Sequence, residues 1–176
     1  MTRILLATAA ALFLGAGTLA AQDPEETTLE QRSMAGPRLG LTFVAGNHAR
    51  DVIRDRDLAP LLSQFGWHFE QITRPQGGGP SFVIQEVMLL GAVEQQTIVP
   101  AGTLLFGIRF PNGFEFGMGP NATPIGTALA IGLGWRMQYG GVAIPFNIAT
   151  VYSPGSVRIS ILTGYALRTA RRTIAR

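Results

Sequence analysis

Residues 125 to 139 read Ile-Gly-Thr-Ala-Leu-Ala-Ile-Gly-Leu-Gly-Trp-Arg-Met-Gln-Tyr, and they alternate in character almost without error. Ile125, Thr127, Leu129, Ile131, Leu133, Trp135, Met137 and Tyr139 form one set; Gly126, Ala128, Ala130, Gly132, Gly134, Arg136 and Gln138 form the other. Successive side chains of a strand point to opposite faces, so the segment has one bulky apolar face and one small or polar face. The solvent face of a soluble sheet usually carries Lys, Glu and Thr. Gly and Ala dominate the second face here, which suits the crowded interior of a closed barrel whose apolar side looks outward.

The same period recurs along the chain, and turn signals divide it into about eight strands. The first, Arg38 to Gly46, aligns Leu39, Leu41 and Phe43. Phe65 to Arg74 sets Phe65, Trp67 and Phe69 against Gly66, His68 and Glu70. Ser81 to Val93 is apolar on both faces around Gln85 and Glu86, which leaves its register open. Thr103 to Phe110 is followed by the hairpin signal Pro111-Asn112-Gly113 and by Phe114 to Gly119. After the strand at 125–139, Gly140-Gly141 leads to Val142–Tyr152, where Pro145 weakens the ladder. Ser153-Pro154-Gly155 then leads to the eighth strand, which carries Val157, Ile159, Ile161, Thr163, Tyr165 and Leu167 on one face.

The connection from Asn47 to Gln64 is long. It predicts a short helix from Leu58 onward, with Asp57 as the cap, Pro60 in the first turn, and Leu58, Leu61, Leu62 and Phe65 at helical spacing. With an even strand count and both ends on one side, this connection falls opposite the tight turns at 111–113 and 140–141, an asymmetry that outer-membrane barrels show. The fold class is therefore all-β: a closed antiparallel up-and-down barrel of about eight strands, with one short helix in the first long loop.

Composition narrows the setting. Of the 176 residues, 47% are apolar and 14% charged. Beyond the N-terminal segment, no run approaches the roughly 18 apolar residues of a spanning helix. Residues 1 to 21 have the layout of a secretory signal peptide: Arg3, an apolar stretch from Ile4 to Leu14, and small residues up to Ala21. The chain has no Cys, so it has neither disulfides nor thiolate metal sites. Its formal charge of +3 falls by one with the loss of Arg3, which is too little to argue for nucleic acid. Residues 22–36 are polar and acidic and read as a flexible segment, 37–167 as the barrel domain, and 168–176 as a basic tail.

The pattern as a whole resembles small outer-membrane β-barrel proteins, and the run Phe114-Glu115-Phe116-Gly117-Met118-Gly119-Pro120 looks like a strand-to-loop segment common in them. The resemblance covers roughly residues 37–167 and is architectural. It departs at the end of the chain: such barrels usually finish on an aromatic residue, whereas Tyr165-Ala166-Leu167 is followed here by nine mostly basic or small residues. It implies a location in the bacterial outer membrane, lipid as the main partner, and a structural or interaction role. A further envelope or extracellular partner would meet residues 47–64.

If the apolar residues face lipid, the opposite face lines the interior, and Glu70, Arg109, Glu115, Arg136 and Arg158 form a barrel-interior polar cluster together with Gln138 and Asn147. An eight-stranded barrel is only just wide enough to be filled by side chains, so these charges are expected to pair as a plug. Two other readings use the same strands. One is a soluble periplasmic barrel that binds an apolar ligand inside. The other is a lipid-modifying outer-membrane enzyme built on His68, Glu70 and a serine. No Gly-x-Ser-x-Gly elbow supports the enzyme, and His68 reads more simply as a half-buried interfacial residue. Asp51, Asp55 and Asp57 alternate with Arg50, Arg54 and Arg56, which favours mutual neutralisation over a calcium loop. No catalytic residue, cofactor or metal is expected. Trp67, Trp135, Tyr139, Tyr152 and Tyr165 are placed near strand ends, where aromatic girdles sit.

Overall fold

The computed structural model describes residues 29–47, 54–55 and 58–169. The expected signal peptide lies outside the described residues, as do most of the acidic segment before Leu29, Asp57, and the tail beyond Thr169. Eight antiparallel strands close into a barrel, with a ninth short piece continuing the last of them. They are β1 (Leu29–Ala45), β2 (Leu61–Pro75), β3 (Ser81–Gly91), β4 (Val99–Arg109), β5 (Phe114–Thr123), β6 (Gly126–Tyr139), β7 (Val142–Ser153), β8 (Ser156–Gly164) and β9 (Ala166–Arg168). Each strand pairs with the next in sequence, and β1 closes the barrel against β8 through register pairs from Arg38↔Gly164 to Ala45↔Val157. The pairs Met34↔Arg168 and Ala35↔Leu167 keep that register, so β9 is the same strand line resumed after Tyr165.

The alternation seen in the sequence sorts the side chains by face. Exposed large apolar residues stud the outside of every strand: Leu41 and Phe43 on β1, Phe65 and Phe69 on β2, Met88 on β3, Phe106 on β4, Phe116 on β5, Ile131 and Leu133 on β6, Ile148 on β7 and Ile161 on β8. Most of the buried polar residues lie inside, among them Arg38, His68, Glu70, Arg109, Glu115 and Asn121. Small residues make the interior possible. A Cβ built on Gly66 would overlap the Met88 carbonyl oxygen of the adjacent strand, so only glycine lets β2 and β3 approach this closely at that point. The β4–β5 turn follows its sequence signal: Gly113 takes a positive φ of 87°, and the Asn112 side-chain oxygen accepts a hydrogen bond from the Phe114 amide at 3.0 Å.

Three expectations change. β1 begins at Leu29 and not at Arg38, so residues 29–36, read as part of a flexible segment, are strand paired to β2 from Leu29↔Pro75 onward. That stretch is polar because only its inward face carries demanding contacts, so its composition conceals the strand. The short helix from Leu58 onward does not form. Leu61 opens β2, and Leu61, Ser63 and Phe65 point outward while Leu62 is buried, so the leucine stripe is a strand alternation that mimics helical spacing. Among the described residues of this connection, Asn47, Arg54 and Asp55 are helical. The other non-strand element is one 3-10 turn, Val93–Gln95, in the β3–β4 connection. Trp67 also lies in mid-strand, opposite Pro37 and Met88, and so belongs to no girdle at a strand end.

The register of β3, open in the sequence, is resolved: Ser81, Val83, Val87 and Leu89 are buried inside, and Phe82, Glu86, Met88 and Leu90 are exposed outside. Glu86 is the one acidic side chain among the described strand residues on the outward face.

Candidate functional site

The interior is layered along the barrel axis. We call the end where β1 starts and β9 stops the near end, and the end bearing the β1–β2 connection the far end. The β4–β5 hairpin brings Arg109 and Glu115 into register as direct partners, because they flank the Asn112-Gly113 turn on the inward face. Arg109 Nε donates to Glu115 Oε2 at 2.8 Å, and its Nη1 donates to Glu70 Oε1 on β2 at 2.9 Å. Its Nη2 reaches both carboxylates, so one guanidinium bridges two acids. From β6, Arg136 Nη1 donates to the same Glu70 oxygen at 2.7 Å, and its Nη2 lies against Met34 Sδ. Asn147 on β7 completes the Glu115 carboxylate, donating through Nδ2 to Oε1 at 2.6 Å.

Next to this network, Arg38 Nη2 donates to His68 Nδ1 at 2.7 Å. An arginine only donates, so Nδ1 accepts and the imidazole proton sits on Nε2. That nitrogen faces Glu70 Oε2 at 3.9 Å and makes no hydrogen bond among the described residues. His68 is 2% exposed, so it is a lumen residue and not the half-buried interfacial one expected. No serine hydroxyl is hydrogen-bonded to it among the described residues, and its approach from one side is taken by Arg38. The Arg38 contact fixes the orientation and tautomer of the ring.

Four of the five expected cluster residues therefore come together: Glu70, Arg109, Glu115 and Arg136. Arg158 does not join them. It belongs to a second polar layer toward the far end, where its Nη2 donates to Asn121 Oδ1 at 2.6 Å and Asn121 Nδ2 donates to Thr103 Oγ1 at 2.8 Å. Thr42 binds Gln64 at 2.7 Å and Ser160 at 2.6 Å in the same region. Facing inward decided membership in the lumen; depth along the axis, which strand tilt and stagger set, decided the layer. Asn147 joins them as expected from its inward face, while Arg38 and His68 are additions that the sequence does not group with the cluster. Their inward parity was visible in the sequence, but their common depth was not.

Buried arginine and glutamate side chains cost several kcal/mol each in desolvation unless paired, which is why the network is saturated almost to the last donor. The exception beside His68 Nε2 is Arg136 Nε. Among the described residues no group of three or more His, Asp or Glu is placed to hold a metal ion.

Cavities open at both ends of the lumen. The one at the near end encloses about 590 Å³ over the Arg109–Arg136 floor. The one at the far end, about 280 Å³, is lined by Val44, Leu58, Leu62 and Ile125 with Arg158 at its base. The β3–β4 connection braces the far rim: Ser63 donates to Glu94 through its amide at 2.9 Å and through its hydroxyl, and the Ala59 amide donates to Gln95 Oε1 at 2.6 Å. These contacts hold the Glu94 carboxyl down at about 2, chiefly through the Ser63 hydroxyl and then its amide.

No family model matches the sequence, and no curated protein matches it. Among solved structures the chain is similar to Ail, the attachment invasion locus protein of Yersinia pestis, at a TM-score of 0.50 and 10% identity over 78% of this chain and 99% of that one. The same Yersinia protein in complex with the heparin analogue sucrose octasulfate aligns at a TM-score of 0.45 and 11% identity. At such identity the likeness is one of fold, and the fold is that of the small outer-membrane β-barrel proteins.

Proposed function

We propose that this chain is an outer-membrane β-barrel of the bacterial envelope with a structural or interaction role, presenting residues 47–64 outward. The observation that carries the reading is the inverted distribution of side chains. Leu41, Phe69, Phe106, Phe116, Ile131, Ile148 and Ile161 are all exposed on the exterior, while Glu70, Arg109 and Glu115 are buried within. Soluble monomers rarely expose contiguous apolar patches beyond a few hundred Å². An exterior apolar on every strand suits a hydrocarbon solvent, and closure leaves no strand edge unpaired there.

The same distribution speaks against a soluble barrel with an apolar ligand inside, because the apolar surface lies on the exterior and a salt-bridge network crosses the middle of the lumen. The lipid-modifying enzyme loses its support with the buried, arginine-bound His68. A non-catalytic role follows best from what remains. The near end then lies in the periplasm and the far end outside, with Arg54 and Asp55 exposed on the long connection. Protease added to intact cells is expected to cut at Arg54 or Arg56 and leave the barrel whole. Cleavage only after the outer membrane is breached would mean the opposite orientation or a periplasmic protein.

A further inference from the structure

The near-end cavity is basic in a way the charge plug does not require. β1 presents Glu30, Arg32 and Met34 in succession on its inward face. The register sets Arg74 of β2 opposite Glu30, and Arg168 of β9 opposite Met34. Arg32 is thus flanked on one side by Arg74 and on the other by Arg168, and all three line the cavity. Arg109 and Arg136 form its floor. The carboxylates nearby among the described residues are already engaged. Glu30 takes a two-pronged grip from Arg32 at 2.7 and 2.8 Å, and Glu70 and Glu115 are held by Arg109, Arg136 and Asn147. Arg74 and Arg168 make no ion pair within 4.0 Å among the described residues.

A second observation points the same way. Arg136, whose side chain is 9% exposed, lines this cavity and keeps an Nε that no protein group accepts from among the described residues. The nitrogen itself is buried, so Arg136 contributes its under-compensated positive charge to the cavity base. The rim is open where a ligand would enter: a Cβ placed on Gly79, Gly140 or Gly141 would meet nothing within 4 Å.

We propose that this mouth is a binding site for phosphate groups, with Arg74 and Arg168 as its guanidinium clamps, Arg32 between them and Arg136 at its base. Guanidinium forks match the oxygens of a phosphate two at a time, and a concave wall on which arginines outnumber the one carboxylate beside them, Glu30, concentrates anions that a single exposed arginine would not hold. The floor of paired Glu70, Arg109 and Glu115 stops the ligand from passing through, so the site binds without transporting. The phosphate can belong to a soluble phosphate ester or to a lipid headgroup bordering the mouth.

The test uses the folded barrel in a non-ionic detergent, titrated calorimetrically with inorganic pyrophosphate. Saturable binding near one equivalent is expected, weakened at least tenfold in the Arg74→Gln/Arg168→Gln variant and retained in part by Arg74→Lys/Arg168→Lys. Both residues line the mouth with no ion-pair partner among the described residues, so the variants are expected to keep the wild-type melting temperature in the absence of pyrophosphate. An unchanged affinity in the glutamine variant, or no saturable binding to the wild type, overturns the proposal. A second arm places the barrel in phosphatidylcholine vesicles with rising phosphatidylglycerol. A pyrophosphate affinity that falls with phosphatidylglycerol identifies the headgroup as the source, and an affinity indifferent to it identifies a soluble ester. Because detergent exposes both mouths, this outcome does not depend on how the barrel is oriented in a cell.

Discussion

Glu115→Gln removes one negative charge from the lumen and little else. The amide oxygen still accepts from Asn147, and the side chain keeps its volume. Five charged groups make up the buried network: Arg38, Arg109 and Arg136 against Glu70 and Glu115. Without Glu115, Arg109 keeps only Glu70, for which Arg136 also competes through a bond of 2.7 Å. Removing one partner of a buried pair costs about 3–5 kcal/mol, because the charge left behind is desolvated and under-compensated. Arg109→Met/Glu115→Gln removes both charges, leaves Glu70 with Arg136, and restores the original imbalance. The double variant should therefore be more stable than Glu115→Gln alone, which requires a coupling larger than the cost of Arg109→Met by itself. Urea unfolding in lipid vesicles, followed by tryptophan fluorescence, measures each corner of the cycle. If the two single costs simply add, Arg109 and Glu115 are not energetic partners and the plug is misassigned.

Three further outcomes follow from the same structure. Glu86 sits in the middle of the apolar exterior, so Glu86→Leu should stabilise the barrel in a bilayer by up to about 2 kcal/mol; a loss of stability would show that Glu86 has a partner there. The charge network separates the two end cavities, so the reconstituted barrel should give no stepwise ion conductance in a planar bilayer, and ohmic steps would mean that the plug opens. The Glu94 carboxyl is held below its ordinary value of 4.5, so its bracing of Ser63 is present above that value and is lost as pH falls through about 2. The Ser63 amide resonance should titrate with a midpoint near 2, whereas a midpoint near 4.5 would show that the bracing contact does not form in solution.

The strand alternation was legible because period two survives wherever one face meets an apolar medium and the other a crowded lumen. Phe114–Thr123 and Gly126–Tyr139 could be placed within a few residues on that ground. The Arg109–Glu115 pair was legible too, since a two-residue turn signal fixes which residues face each other across a hairpin. Two kinds of information were missing. Where the chain leaves the apolar zone, at Leu29–Gly36, strand continues without the pattern that announces it. And Glu70 meets Arg136 across the lumen, 66 positions apart in the chain, through a closure whose stagger no local pattern encodes. Arg158 was grouped with the others for the same reason: its face was evident, its depth was not.

The central claim is that the exterior of β6 meets hydrocarbon. Nitroxide labels placed singly at Leu129, Ile131 and Leu133, and at the inward Ala130, in the barrel held in its native membrane test it most directly. The three outward labels should be quenched by oxygen and shielded from a water-soluble nickel complex, and the label at Ala130 should be shielded from both. Outward labels open to the nickel complex and poorly reached by oxygen would place that face in water and contradict the account.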